Sequence, residues 1–255
     1  MDTPQPRKKW RWLLWLLLTP FFLILCFVLA FFIWALTPQG PMPEAERYLQ
    51  SDDQVEVVSG DLITFRPKGV NPDTGLIFYP GGRVNPASYA PAAYQIAESG
   101  YLVVIPHMAF NLPVSSPNRA DAVMAHFPDV QHWIIGGHSL GGEMAAQYAY
   151  KHPGKVEGLV LWAGYPPSGA SLADTQFPVL SIYGSNDANA ATINASKALL
   201  PPDTVWVIIE GGNHGQLGWY GRQPGDNPAT ISREEEQRQA IEATIDFLNA
   251  LHSPQ

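Results

Sequence analysis

The sequence predicts an α/β domain with a doubly wound, mostly parallel sheet, preceded by one transmembrane helix. Two observations carry the sheet. From Val55 onward, short β-rich runs alternate with longer amphipathic stretches, and strands that alternate with helices are joined by right-handed crossovers into a parallel sheet. The later runs are continuous Val, Ile and Leu without polar alternation, as in strands covered on both faces by helices. A third observation carries the membrane helix: Trp12 to Leu36 is 25 residues without a charge.

Composition narrows the function classes. With 255 residues the chain is long enough for one medium domain with a sizeable core. Its single cysteine, Cys26, excludes an internal disulfide and a cysteine-based zinc cage. A net charge of -8 argues against a general nucleic-acid binder, because affinity for phosphate backbones comes from clustered Lys and Arg. That average conceals a split. Residues 1 to 11 hold Arg7, Lys8, Lys9 and Arg11 against Asp2, a net of +3, which leaves -11 for the rest.

At about 1.5 Å per residue, the uncharged run can cross a hydrocarbon core of roughly 30 Å. A cleaved leader would have a shorter apolar stretch and a small-residue cleavage site, whereas this run ends Phe31-Phe32-Ile33-Trp34-Ala35-Leu36. An uncleaved signal anchor is therefore expected, with Trp10, Trp12 and Trp15 at one interface and Trp34 at the other. Cys26 falls mid-span, where it serves as a small apolar residue. The basic residues precede the run, and the stretch Thr37 to Leu49 holds only Arg47 with Glu44 and Glu46. Positive charge stays on the cytoplasmic side, so the N-terminus is expected inside and the domain outside. The expected organisation is a basic cytoplasmic tail at 1–11, a transmembrane anchor at 12–36, a proline-rich spacer at 37–44 and the α/β domain at 45–255. Three prolines between Thr37 and Pro43 favour an extended tether.

The elements follow in order. Strands are expected at Val55 to Val58 and Leu62 to Phe65, the pair forming an antiparallel edge, then at Leu76 to Tyr79. A helix over Tyr89 to Ser99 leads to a strand at Leu102 to Ile105, and a helix over Asn118 to Phe127 leads to His132 to Ile135. A helix over Leu140 to His152 is followed by strands at Val156 to Trp162 and Val179 to Tyr183. A helix over Ala190 to Leu200 precedes Val205 to Ile209. The last helix, Ser232 to Leu251, opens on a capping serine with Glu234 to Glu236 in its first turn, and Ile241, Ile245, Leu248 and Leu251 recur at helical spacing.

Chemistry concentrates at Gly137-His138-Ser139-Leu140-Gly141, between an apolar strand and an Ala-rich helix. A serine on such a sharp strand-to-helix turn needs neighbours without side chains two residues to either side, and Gly137 and Gly141 supply them. The hydroxyl is a poor nucleophile unless a base takes its proton, and an acid must hold that base in one tautomer. Two later strands end in suitable groups: Val179 to Tyr183 runs into Asp187, and Val205 to Ile209 runs into His214. Both lie past the C-terminal ends of parallel strands, the rim where open α/β sheets place their sites.

With the nucleophile turn and the chain order Ser139, Asp187, His214, the sequence resembles the α/β-hydrolase superfamily, in particular the small lidless bacterial type related to dienelactone hydrolases. The resemblance spans residues 55 to 251 and includes Tyr79-Pro80-Gly81-Gly82, which stands where the family commonly has His-Gly-Gly. It implies the α/β-hydrolase fold, a small-molecule acyl substrate, no cofactor, and a catalytic set of Ser139, His214 and Asp187. It also implies an oxyanion hole from the backbone N–H of Leu140 and that of Gly82, or of Arg83 if the register slips by one. Pro80 replaces the histidine that usually braces this loop. The alternatives are a tethered binding module that keeps the fold without activity, and an acyltransferase using the same three residues.

The remaining candidates have weaker chemical motives. His138 is expected to be structural, and Glu143 to be a first-turn carboxylate favoured by the helix dipole. Arg83 and His107 are candidates for the pocket lining. His126, His132, His152 and His252 show no metal-ligand spacing, so no metal site is expected. Gly211 to Asp226 holds six glycines and reads as a long loop that carries His214 and wraps the site. Trp219 and Tyr220 are its candidate pocket wall, and Asp226 is the residue to tie it down. About 16 residues join Trp162 to Val179, too few for a helical lid, so the site is expected to be open and shallow.

Overall fold

A computed structural model describes residues 9–252. The basic tail through Lys8 lies outside the described residues. The elements are α1 (Lys9–Leu36), α2 (Pro43–Glu46), β1 (Val55–Val58), β2 (Leu62–Pro67), β3 (Thr74–Tyr79), α3 (Ala90–Glu98), β4 (Leu102–Pro106), α4 (Arg119–His126), β5 (His132–His138), α5 (Leu140–Lys151), β6 (Gly158–Trp162), β7 (Val179–Gly184), α6 (Ala190–Ala195), β8 (Val205–Ile209) and α7 (Arg233–Leu251). The eight strands form one sheet in the order β1-β2-β4-β3-β5-β6-β7-β8. β1 pairs antiparallel with β2 and β2 antiparallel with β4, and the other pairings are parallel. This is the doubly wound architecture expected from the alternation of runs, with the two-stranded antiparallel edge in place.

Successive side chains of a strand point to opposite faces, and the central strands bury both. On one face Phe65, Phe78, Trp162, Ile182 and Ile209 pack with Ala93 and Ala97 of α3 and Ile241, Phe247 and Leu248 of α7. On the other, Ile77, Tyr79, Val104, Ile135 and Leu161 pack with Val123 of α4 and Met144, Ala145 and Tyr148 of α5. β8 departs from the expected two-sided cover: Val205 is 50% and Ile208 45% exposed. It is the outermost strand, and the preceding helix α6 is only six residues long.

The apolar stretch Trp15–Leu36 has a mean hydropathy of 2.9, and nearly all its described side chains are exposed. Its C-terminal end, however, is docked. The last carbonyls of a helix have no partner within it, and here the domain supplies three donors. Arg83 Nε donates to the Trp34 carbonyl (2.8 Å), an Arg83 terminal nitrogen to that of Thr37 (2.7 Å), and Asn111 Nδ2 to that of Ala35 (2.9 Å). The segment after it is extended, as its prolines require, yet it does not hang free. Gln39 forms a parallel bridge with Val84, its N–H donating to the Arg83 carbonyl and its own carbonyl accepting from Asn85, and Met42 N–H donates to the Trp219 carbonyl. An extended strand offers unpaired backbone groups, and the loop after β3 takes them up.

Candidate active site

β5 ends at His138, and Ser139 turns the chain into α5 with φ 53° and ψ -124°. A non-glycine residue in this region is strained and persists only where its surroundings fix it. They do so here: Ser139 N–H donates to the Trp162 carbonyl of β6 (2.9 Å), and its carbonyl accepts from Glu143 N–H (3.1 Å). The first turn of α5 presses against the end of β3, so a Cβ on Gly141 would stand 2.2 Å from the Tyr79 carbonyl oxygen and one on Gly137 would stand 2.6 Å from the Gly141 carbonyl carbon. Glycine is required at both positions because backbone meets backbone there.

His214 follows β8, and its Nδ1 lies 2.9 Å from Asp187 Oδ2, with both side chains at most 2% exposed. The carboxylate can only accept, so Nδ1 carries the proton, and in the neutral ring Nε2 keeps its lone pair. Asp187 is held in turn by the Asn189 N–H, which donates to Oδ1 (2.6 Å). The loops bearing the two residues are stitched together, Asn186 N–H donating to the Gly212 carbonyl and Gly211 N–H to Ser185 Oγ. His214 Nε2 is buried and has no hydrogen-bond partner among the described residues, Ser139 Oγ included. A buried unpaired acceptor is costly and therefore rare.

His138 binds three loops of the site into one unit. Gly81 N–H donates to the Tyr89 hydroxyl (3.0 Å), that hydroxyl donates to His138 Nδ1 (2.9 Å), and His138 Nε2–H donates to the His214 carbonyl (3.1 Å). A neutral His138 with its proton on Nε2 fits this set of bonds. Complete burial, with His214 alongside, pushes its pKa well below the ordinary value. The brace for the Gly-Gly loop, which Pro80 cannot supply, comes from Tyr89. Nothing in the sequence near Pro80 signals this residue, which reaches the loop because the Phe78 ring packs edge-on against Trp162 at 5.0 Å and tilted against Tyr89 at 5.3 Å in the core.

Beside Ser139 opens a cleft of about 220 Å³ walled by Trp34, Gln39, Gly82, Arg83, Leu140 and Gln223. The Leu140 N–H, first of α5, has no partner among the described residues, and neither has that of Gly82. The Arg83 N–H is already given to the Asn111 carbonyl (2.7 Å), so of the two positions expected to face an oxyanion only Gly82 retains a free donor.

The expected pocket lining needs correction. Arg83 does wall the cleft, but His107, Trp219 and Tyr220 do not. His107 is half-buried two strands away, its backbone bonded to the Asp61 carbonyl. Trp219 faces a separate hollow between α2, α3 and α7. Tyr220 is buried behind His138, with its hydroxyl on Gln223 Oε1 (2.9 Å). The glycine-rich loop runs this way because Arg233 donates to the carbonyls of Gly215, Gly218 and Gly221, and because Asp226 accepts from Gly215 N–H (2.8 Å). A larger hollow of about 400 Å³ beside this loop carries no nucleophile. Glu143 is half-buried, and burial raises its pKa. At the opposite rim, by the N-terminal ends of β5 and β6, folding joins residues whose spacing gave no metal pattern: Glu157 accepts from His132 Nδ1 (3.0 Å) and from His252 Nε2 (2.6 Å), with the two rings stacked at 4.0 Å.

The sequence profile of the alpha/beta hydrolase family matches residues 75–238. The chain belongs to the alpha/beta hydrolase family. Among solved structures of the same fold, an esterase from the planctomycete Thermogutta terrifontis is 17% identical with a TM-score of 0.54, over 79% of this chain and 93% of that one. A dienelactone hydrolase from Anabaena variabilis is 18% identical with a TM-score of 0.57, over 79% of this chain and 99% of that one. No curated protein sequence matches the chain. Family membership makes the protein a hydrolase by class, and open α/β sheets place their sites at the rim beyond the C-terminal ends of the strands.

One supporting residue escaped the sequence reading. Glu236 in the first turn of α7 points inward, is 0% exposed, and accepts from Asn213 N–H and Gln216 Nε2, both at 3.0 Å. Burial pushes its carboxyl up to about 7 from about 4.5, against the pull of those two donors. The folded chain thus holds a proton that the unfolded chain has released. Stability from this group is complete below about pH 4.5, falls as pH rises, and is lost above about 7, a change of about 3 kcal/mol. Glu236→Gln cannot ionise, so its Tm, measured by calorimetry in detergent micelles, is expected to vary less between pH 5 and 8 than that of the wild type. Equal slopes for the two proteins would show that Glu236 does not titrate in this range.

Proposed function

We propose that the protein is a serine hydrolase acting on ester-like acyl substrates, held in the membrane by α1 with its domain on the extracytoplasmic side. Ser139 is the nucleophile, His214 its base and Asp187 the residue that holds His214. The observation that carries the reading is the buried His214–Asp187 pair at 2.9 Å, which leaves Nε2 as an unpaired buried base at the rim where Ser139 occupies a strained turn. Catalytic hydrogen bonds often tighten only with substrate bound, so the Ser139–His214 contact is assigned to the loaded enzyme.

The chemistry follows from these roles. Nε2 takes the hydroxyl proton as Oγ attacks the acyl carbonyl, and the oxygen that gains charge is met by the N–H groups of Gly82 and Leu140, fixed dipoles that lower the barrier by several kcal/mol. The imidazolium that forms sits against the Asp187 carboxylate and returns its proton to the departing alcohol. Water then repeats the sequence and releases the carboxylic acid. Leaving a neutral His138 next to His214 keeps a second positive charge away from the imidazolium.

Asp187→Asn tests this reading. An asparagine amide can donate to Nδ1, which moves the ring proton to Nε2 and removes the base without removing the ring. The expected result is a fall in kcat of about 10³- to 10⁴-fold on p-nitrophenyl acetate with KM little changed. Turnover within a few-fold of wild type would take Asp187 out of the catalytic set.

A further inference from the structure

We infer that the ester cleaved at Ser139 belongs to a lipid of the bilayer that holds α1, delivered to a cleft that the end of the helix itself walls. The inference rests on the proposed hydrolase reading and names its substrate class. Three observations carry it. Trp34 and Gln39 line the same cleft as Ser139 and Gly82. The helix end is fixed to that wall rather than loosely tethered, through Arg83 and Asn111 on its last carbonyls and the Arg83 guanidinium 4.4 Å from the centre of the Trp34 ring. Exposed apolar rings continue from the helix onto the domain, Phe32 meeting Phe110 at 5.6 Å with Val114 exposed beyond.

Depth settles what such a cleft can reach. The 22 apolar residues Trp15–Leu36 span about 33 Å at 1.5 Å per residue, close to a hydrocarbon core of roughly 30 Å. Leu36 therefore falls at the boundary of the hydrocarbon, with Trp34 just inside it and Gln39 beyond it on the headgroup side. An acyl ester joins an apolar chain to a polar group, so in a bilayer its carbonyl lies at this same boundary. Phe110 and Val114, unshielded in water, are covered when the domain rests on the membrane, as is the indole of Trp34 at an interface that favours it. A lipid ester can enter the cleft sideways with its chain left in the hydrocarbon. An open, shallow site then needs no long acyl tunnel. Atoms balance as in ordinary hydrolysis: the lipid acyl–oxygen bond breaks, Ser139 Oγ carries the acyl group, His214 protonates the departing hydroxyl, and water releases the fatty acid.

The test uses the full chain in vesicles of non-hydrolysable diether phosphatidylcholine containing dioleoylglycerol, with p-nitrophenyl acetate in the water outside. Released oleate is measured from the enzyme's own vesicles and from a second population that carries the diester but no enzyme. The expected result is oleate release that follows the mole fraction of diester in the enzyme's own bilayer, falling about tenfold on tenfold surface dilution, and at least tenfold slower release from the enzyme-free vesicles. Hydrolysis of p-nitrophenyl acetate without oleate release, or equal release from both populations, would overturn the lipid assignment and leave the hydrolase reading standing. Loss of both activities would instead bring down the hydrolase reading on which it rests.

Discussion

Ser139→Ala is expected to abolish hydrolysis while leaving the fold intact. The side chain caps no helix end, so truncating it removes no hydrogen bond that holds α5. Its φ of 53° is already borne by a residue with a Cβ, and alanine adds no atom. The Tm should stay within about 2 °C of wild type, as for a change touching no packing or capping contact. The chemical loss is of another order. Without Oγ there is no atom to accept the acyl group, and only the N–H donors and the binding cleft remain, which in a Ser-His-Asp site leave a small residue of the full rate enhancement. A fall in kcat/KM of at least about 10⁴-fold on p-nitrophenyl acetate is expected, together with loss of labelling by a fluorophosphonate probe. Labelling of Ser139→Ala as strong as that of wild type would transfer the nucleophile's role to another residue.

How much of this could be read beforehand depends on the range of the interactions involved. The parallel sheet was legible because each central strand is a local apolar run, and the nucleophile turn because Gly137, Ser139 and Gly141 meet a steric need within five residues. Asp187 and His214 stood out through topology, since both follow strands of one parallel sheet. Tyr89, Glu236 and Trp34 were not legible. Each acts through a partner dozens of residues away in the chain or on a neighbouring element: Tyr89 on Gly81 and His138, Glu236 on Asn213, Trp34 on the cleft of Ser139. Glu236 also carried a sound local explanation, a carboxylate at a helix N-terminus, which the burial of that face against the His214 loop overrides. Trp219 and Tyr220 lie away from the cleft because the path of their loop is set by Arg233, whose guanidinium clamps three of its carbonyls and which in sequence looks like a surface charge. The spacer misled for a related reason: proline content fixes extension, whereas pairing depends on what lies alongside, here Val84.

Gly141→Ala is expected to cost both stability and activity, by one cause. The added methyl would fall 2.2 Å from the Tyr79 carbonyl oxygen and 2.4 Å from that of Pro80. Those atoms are backbone and cannot rotate aside, so either α5 tilts away or the end of β3 retreats. Overpacking of a core costs about 1–3 kcal/mol when side chains can adjust, and about 3 kcal/mol or more is expected where they cannot. For a domain of this size that lowers the Tm by about 6–12 °C. Activity falls through the same displacement. Retreat of β3 carries Pro80, Gly81 and Gly82 with it, parting the Gly82 donor from Leu140 and pulling Gly81 from the Tyr89 brace. Tilting of α5 moves Ser139 itself. Removal of one oxyanion donor costs about 10²- to 10³-fold in kcat, and a loss of at least that size is expected in protein still folded at the assay temperature. Gly169→Ala is the matched control, because a Cβ there has open space and should change neither quantity. A Gly141→Ala protein with wild-type Tm and turnover would mean that α5 and β3 are not in contact as described, and the construction of the site at their junction would fall with it.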